Sequence, residues 1–359
     1  MASTLSIGLI GLGDMGRGHL ECLKSFPSVR LNALCDLDSS RLQGAFSSLF
    51  GKAKVYPDYR SLLDQKEIDA VFISVPDDLH AEVALAALDA GKHVFLEKPL
   101  ANSLKNGERL LKAASQSNKI FFVGHIYRFS PFFRELLGWI DQDIIGKPMM
   151  LWCHEFRQPF PQRDWFYDSK KTGGTFVEKN CHHFDLFNWI TNDRAKKVVA
   201  FGGIEVLKTG VEISCSYCPD PPKKMEHASG LDHGWAMVEY EKGAKANLGL
   251  CMFLEKPDRI WRGLELGIIG TNGKMLVTNV DFGSMTLFGG DKKEEKKEVV
   301  NPNQGVWHSG MREEHEAFIQ AVLQNNKTQS LETVKWALEA IRIGLAAEES
   351  VKKGKIISL

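Results

Sequence analysis

Two stretches of the chain carry side chains suited to moving a proton. Glu178-Lys179-Asn180-Cys181-His182-His183-Phe184-Asp185 spaces residues 178, 182 and 185 at i, i+4 and i+7, so on one helix all three project from a single face. His182 fits general acid–base work, because an unperturbed imidazole titrates at about pH 6.5. Asp185, about one helical turn away, can fix its tautomer and stabilise the imidazolium. The preceding Gly173-Gly174 would let that face come close to a ligand, and His183, pointing elsewhere, reads as structural. The second stretch is His93-Val94-Phe95-Leu96-Glu97-Lys98-Pro99. Lys98 ends a predicted parallel strand, at the sheet edge where such folds place ligands. An ammonium there can hydrogen-bond a substrate hydroxyl and favour its alkoxide.

A third pattern binds rather than reacts. Gly11-Leu12-Gly13-Asp14-Met15-Gly16 has the spacing of a dinucleotide turn, with a strand before it, a helix after it and Asp36 about 20 residues on. The first glycine permits the tight turn, the second lets backbone approach a pyrophosphate, and the third allows close helix–strand packing. The helix N-terminus then faces the phosphates. A carboxylate at Asp36 can accept both ribose hydroxyls and would repel a 2′-phosphate, so NAD is favoured over NADP. Arg41 is the opposing sign, since an Arg in that loop can accommodate such a phosphate.

These residues need a scaffold, and the pattern supplies one. Through residue 125, short apolar runs alternate with helical periods, the mark of βαβ units and a parallel sheet. Strands are expected at Ser6–Leu12, Leu31–Cys35, Ala70–Ser74, His93–Leu96 and Ile120–Val123, and helices at Met15–Ser25, Ser39–Leu49, Ala81–Ala90 and Ser103–Gln116. From residue 126 the pattern is α+β. Helices at Phe132–Ile140 and Phe176–Ile190 flank a strand at Met149–Glu155, and tight turns then join several strands, as at Glu241-Lys242-Gly243 and Asn272-Gly273. Two helices, Arg312–Leu323 and Leu331–Val351, close the chain. The expected division is a dinucleotide-binding domain over 1–125 and a substrate and oligomerisation domain over 126–359.

Composition narrows the class. The 45 basic and 45 acidic residues cancel, which supplies neither the basic footprint of a nucleic-acid binder nor a polybasic membrane anchor. No apolar run approaches the ~20 residues of a membrane span, and the N-terminus reads as a first strand rather than a signal peptide. Seven scattered cysteines fit buried thiols and a cytoplasmic setting. The mixed run Asp291–Glu298 reads as a solvated hairpin or loop. Cys215 and Cys218, with His227 downstream, make only half of a zinc pattern, so no metal is expected.

With the opening glycines, Gly91-Lys92-His93-Val94-Phe95-Leu96-Glu97-Lys98-Pro99-Leu100 resembles the Gfo/Idh/MocA family, named for glucose–fructose oxidoreductase and inositol dehydrogenase. Val75-Pro76-Asp77-Asp78-Leu79-His80 is similar to that family's loop after the fourth strand, and Val123 to Phe129 to its domain-crossing strand. The resemblance implies a Rossmann domain, then a domain with a large, mostly antiparallel open sheet, and an active site between the nicotinamide and that second domain. It implies cofactor contacts from Val75, Pro76, His80, Glu97 and Lys98, and homodimers or homotetramers packed through the open sheet faces. Residues 178, 182 and 185 match the family's Asp-x-x-x-His-x-x-Asp pattern, except that Glu178 replaces the first Asp. That longer carboxylate would grip a substrate hydroxyl differently. Arg128 and Tyr127, near the crossing, and Arg157, Arg163 and Trp165, in the turn-rich segment, are candidates for substrate contact.

The reaction implied is NAD-dependent hydride transfer at a secondary hydroxyl or ketone of a sugar, cyclitol or glycoside. The competing class is an NAD-retaining glycoside hydrolase that works by transient oxidation and elimination. A non-catalytic NAD sensor fits less well, because it needs no Lys98, His182 and Asp185 together.

Overall fold

The computed structural model describes residues 4–48, 52–159, 165–213, 222–254, 264–278, 284–289, 292–298 and 310–359. The chain packs as two compact units, and the division is discontinuous: residues 310–338 pack with the first 126, and 339–359 pack with 127–309.

The first unit holds six parallel strands, β1 Leu5–Ile10, β2 Val29–Cys35, β3 Lys54–Tyr56, β4 Ala70–Ile73, β5 His93–Glu97 and β6 Phe121–Gly124, in the order β3-β2-β1-β4-β5-β6. The order reverses between β1 and β4, which creates the crevice where open α/β sheets bind ligands. Helices α1 Asp14–Leu23, α2 Ser39–Ser48, α3 Tyr59–Leu63, α4 His80–Asp89 and α5 Leu104–Gln116 connect the strands. β3 and α3 have no signal in the sequence pattern, because a three-residue edge strand and a one-turn helix are too short for periodicity. Asp58 starts α3 by accepting a hydrogen bond from the Arg60 amide.

Strands β4 and β5 are buried along their apolar residues, as a sheet covered on both faces requires. Phe72, Phe95 and Phe122 sit in register on β4, β5 and β6. Their rings stack at 4.4 and 5.7 Å.

In the second unit, α6 Pro131–Asp141 precedes β7 Pro148–Phe156, followed by α7 Ser169–Thr172, α8 Thr175–Glu178 and α9 Cys181–Thr191. A nine-stranded sheet is built from β7, β8 Ala195–Gly203, β11 His233–Tyr240, β12 Lys245–Cys251, β13 Leu264–Gly270, β14 Gly273–Thr278, β15 Ser284–Gly289, β16 Lys292–Glu298 and β17 Ile357–Ser358. A separate two-stranded ribbon pairs β9 Glu212–Ile213 with β10 Lys223–Lys224. In the large sheet every pairing is antiparallel except β7 with β12, which confirms the expected mostly antiparallel architecture. The charged run forms β16, an edge strand in a hairpin with β15. Charge on an edge opposes pairing with other chains.

Along β7, Leu151, Cys153 and Glu155 are buried while Trp152, His154 and Phe156 take the opposite face. Tyr240 donates to the Asn188 side chain across 2.9 Å and ties β11 to α9. On the other face of the sheet, Phe201 is 71% exposed, and Trp235, Met237 and Met150 are about half exposed. A Cβ on Gly249 would come within 2.4 Å of the Trp235 ring, and one on Gly267 within 2.0 Å of Trp152. Glycine there lets indoles lie flat across neighbouring strands.

Helices α10 Met311–Leu323 and α11 Lys327–Lys353 close the chain. The expected single helix over 176–190 is instead two, broken at Lys179-Asn180. Only His182 and Asp185 therefore share a helix, and Glu178 belongs to the turn before it.

Candidate active site

The glycine turn follows β1 at the switch point. Gly11 has φ +89°, and a Cβ there would lie 2.3 Å from the Ser74 carbonyl oxygen, so only glycine is accommodated. A Cβ on Gly16 would lie 2.0 Å from the Gly11 carbonyl oxygen. Gly13 differs, because the nearest atom a Cβ would meet is an Arg41 guanidinium nitrogen at 4.0 Å. The fold itself does not demand glycine at 13, whereas a pyrophosphate lying against the backbone does. The residues thus fit a dinucleotide. Leu12 is fully buried, so it can offer a ligand only backbone, and Asp14 is salt-bridged to Arg17 at 2.6 Å.

Asp36, at the end of β2, has two backbone partners. Its Oδ2 accepts from the Leu12 amide at 2.6 Å and its Oδ1 from the Asp38 amide at 2.8 Å. The carboxylate therefore also anchors the glycine turn, and each oxygen keeps a lone pair for a ribose hydroxyl. Arg41 lies 3.4 Å from Asp38 and 4.0 Å from Asp36. Leu37, which the sequence patterns did not single out, is 89% exposed beside them.

Glu97 and Lys98 leave β5 at the same sheet edge, and the Lys98–Pro99 peptide is cis. Glu97 bonds within the first unit. Its Oε1 lies 3.0 Å from His19 Nε2, and its Oε2 accepts the Lys98 amide at 3.0 Å. His80 is a strut between two loops. It is buried, with Nδ1 2.7 Å from the Pro99 carbonyl and Nε2 3.0 Å from the Val75 carbonyl, tying the loops after β4 and β5 together. Burial holds its pKa below the ordinary value, although the two carbonyls favour the charged ring. Val75 and Pro76 remain partly exposed at that edge.

In the second unit, Tyr127 stacks on His182 with ring centroids 4.9 Å apart and 28° between planes. Asp185 faces Arg128 rather than standing open: its oxygens accept from Arg128 Nε at 2.7 Å and Nη2 at 2.8 Å. The guanidinium also lies over the Trp189 ring, 5.3 Å from its centroid. Arg128 is therefore first a fixed counterion to Asp185 of α9, which holds the helix bearing His182. Glu178 is buried at the end of α8.

A buried cluster fixes the break between α8 and α9. Glu155 on β7 lies 2.9 Å from Lys179, 3.2 Å from His183 Nε2 and 3.2 Å from Arg157. Burial opposes the Glu155 charge, but Lys179, His183 and Arg157 outweigh it and hold the carboxyl well below the usual range. Burial lowers the His183 pKa despite Glu155, which leaves a neutral ring as a structural partner. Arg157, expected in the substrate site, is committed here. The close approach expected at Gly173-Gly174 is filled by the protein: Gly174 has φ +110°, and a Cβ would sit 2.2 Å from the Glu348 carboxyl carbon.

Trp165 packs edge-on to Phe166 at 6.2 Å, against a cluster of Phe166, Tyr167, Leu207, Ile213, Met225, Leu250 and Met252. That makes it a core neighbour. Arg163, Cys215 and Cys218 lie outside the described residues. Among the described residues no group of three His, Cys, Asp or Glu side chains is arranged to hold a metal.

Residues 5–125 match the model of an oxidoreductase family with an NAD-binding Rossmann fold, and 138–359 match its C-terminal alpha/beta domain. The chain is 27% identical to the myo-inositol 2-dehydrogenase of Thermotoga maritima over 77% of its length and 76% of that enzyme's. It is 32% identical to the inositol 2-dehydrogenase of Salmonella paratyphi B, over 55% of its length and 58% of that enzyme's. The solved scyllo-inositol dehydrogenase of Lactobacillus casei, with bound NAD(H) and scyllo-inositol, superimposes with a TM-score of 0.78 at 25% identity, covering 99% of each chain.

Proposed function

The chain belongs to the Gfo/Idh/MocA family of NAD-binding oxidoreductases, and from that premise we propose that it interconverts a secondary hydroxyl and a ketone on a cyclitol or sugar. The observation that carries this reading is Lys98, which emerges at the carboxyl end of β5 in the same sheet whose switch point carries the dinucleotide turn. Relatives named inositol dehydrogenases make cyclitols the first substrates to test.

Oxidising a CH–OH carbon releases a hydride and a proton, and a nicotinamide held at the glycine turn would supply the hydride acceptor. The proton is left to this chain. Lys98 donates a hydrogen bond to the substrate oxygen and favours the alkoxide, and His182 takes the proton and returns it in reduction. Tyr127 holds the His182 ring by stacking, while the Arg128–Asp185 pair fixes the helix beneath it. Glu178 selects among substrate hydroxyls, its reach one methylene longer than an Asp. Asp36 favours NAD over NADP, and the exposed Leu37 offers an apolar surface for the adenine.

The open sheet face bearing Phe201, Trp235, Met237 and Met150 supports a homo-oligomer joined through that face. No described helix is long and apolar enough to cross a membrane. Cys22, Cys35, Cys153, Cys181 and Cys251 carry free thiols, which supports a reducing, cytoplasmic compartment.

The test is a screen of purified protein with NAD against inositols, sugars and aryl glycosides, followed at 340 nm. Net NADH formation with a cyclitol or sugar supports the reading. Aryl-glycoside cleavage with no net cofactor turnover overturns it in favour of a glycosidase.

A further inference from the structure

Behind Lys98 the first unit encloses a hydrogen-bonded line of ionisable groups. Lys98 N donates to Glu97 Oε2, Glu97 Oε1 meets His19 Nε2 at 3.0 Å, and His19 Nδ1 meets His315 Nε2 at 2.8 Å. Both imidazoles have no exposure to solvent. They sit among the stacked phenylalanines: His19 lies 5.5 Å from Phe72 and 5.4 Å from Phe95, and His315 5.0 Å from Phe72. His19 comes from α1 and His315 from α10, helices separated by nearly the whole chain.

Two polar rings in an aromatic core lower stability unless their hydrogen bonds are met. One proton arrangement meets nearly all of them. Glu97, as a carboxylate, accepts from both the Lys98 amide and His19 Nε2–H. His19, donating through Nε2, then presents Nδ1 as an acceptor, and His315 Nε2–H fills it. His315 Nδ1, buried with no hydrogen-bond partner, is left as a bare lone pair. Reversing the His19–His315 bond would bury an unmatched N–H at His315, so it costs more. Glu314, beside His315, does not compete for these protons. Burial, with the Glu97 charge adding, pushes its carboxyl well above the usual range and keeps it neutral.

We infer that His19 and His315 are positioning residues, which hold Glu97 as a carboxylate aimed at the Lys98 amide and so fix where Lys98 leaves the sheet. The inference rests on the reading of Lys98 as a catalytic group. The sequence gives one hint, a histidine three residues after Gly16, which without the structure looks like any residue on a buried helix face.

The deciding measurement is hydrogen exchange of the Lys98 amide, followed by NMR in the full-length chain labelled with 15N-lysine and without cofactor. His19→Leu keeps apolar volume but removes both hydrogen bonds. Its Lys98 amide is expected to exchange at least tenfold faster. With NAD and myo-inositol, kcat should fall at least tenfold while KM and the Kd for NAD stay within about threefold. His19→Gln retains a donor toward Glu97 and should restore both readouts to within about threefold of the wild type. His315→Phe, which suits the aromatic surroundings, should shift both in the same direction by less. A role in packing alone would lower Tm without this rescue by Gln. Unchanged Lys98 exchange in both His19→Leu and His315→Phe overturns the inference, as does a His19→Gln protein no better than His19→Leu. If Lys98→Ala retains full turnover, the catalytic reading of Lys98 fails, and the exchange measurement still decides whether the histidines position it.

Discussion

Arg128 meets Asp185 through two parallel hydrogen bonds, Nε to Oδ2 at 2.7 Å and Nη2 to Oδ1 at 2.8 Å, with the Asp185 side chain almost wholly buried. A fork of this kind fixes direction as well as charge, which a lysine cannot do. Arg128→Lys should therefore fold yet lose about tenfold in kcat, because α9 and its His182 lose a rigid anchor. Asp185→Asn leaves the guanidinium short of its counterion and should cost about 3 kcal/mol of stability, a typical result of breaking a buried pair. Steady-state kinetics and urea unfolding check the two outcomes. Wild-type kcat in Arg128→Lys would show that the fork is dispensable.

Asp36 is tied to the glycine turn through the Leu12 amide as well as being placed for a ribose. Asp36→Ala should weaken NAD roughly 10- to 100-fold, on the scale of losing one or two charge-assisted hydrogen bonds. NADP should be weakened less, since a repulsion is removed as a contact is lost. Calorimetric titration with both dinucleotides measures the ratio, and an unmoved ratio defeats the assignment.

Glu348 provides a pH prediction with a definite sign. Its Oε1 accepts the Phe176 amide at 3.0 Å, and burial pushes the carboxyl up to about 7. The folded chain thus holds a proton there that the unfolded chain releases near its ordinary carboxyl range. Stability from this group is full below the unfolded pKa and is lost as pH rises through about 7. Glu348→Gln keeps an acceptor for Phe176 without the charge. It should raise Tm by several degrees at pH 8 and hardly at all at pH 4.5. Equal shifts at both pH values would contradict the account.

The open sheet face should be the surface through which copies associate. A charge placed in its aromatic centre, as in Trp235→Glu, should dissociate the oligomer while leaving the fold intact. Light scattering after size-exclusion chromatography checks this, and an unchanged mass would point to another interface.

Local pattern carries much of this architecture. The Rossmann strands are apolar runs between glycines and helix caps, so the alternation shows them directly, and Gly11, Gly16 and Asp36 have steric or hydrogen-bonding reasons to be where they are. Other features depend on partners distant in sequence. The break at Lys179-Asn180 is fixed by Glu155 on β7 and is invisible to helical spacing, which puts residue 178 on one helix with 182 and 185 where the structure has two. Arg128 and Arg157 look alike as arginines near a presumed site, yet one is committed to Asp185 and the other to Glu155. Gly174 is glycine because Glu348 fills the space beside it, and 174 residues separate the two. His80 and Glu97 read by position as residues facing the cofactor, and their buried partners, two backbone carbonyls for His80 and His19 with the Lys98 amide for Glu97, are set by chain segments that spacing alone does not bring together.

In the proposed reaction Lys98 and His182 handle the substrate's proton while other residues hold the cofactor. This division of roles is tested most directly by measuring kcat and the Kd for NAD in Lys98→Ala and His182→Ala, using whichever cyclitol or sugar gives NADH with the wild type. The expected fall in kcat is roughly 10²- to 10⁴-fold in each, the usual contribution of a positioned acid or base, with NAD affinity within about threefold. Wild-type kcat in both variants would contradict it.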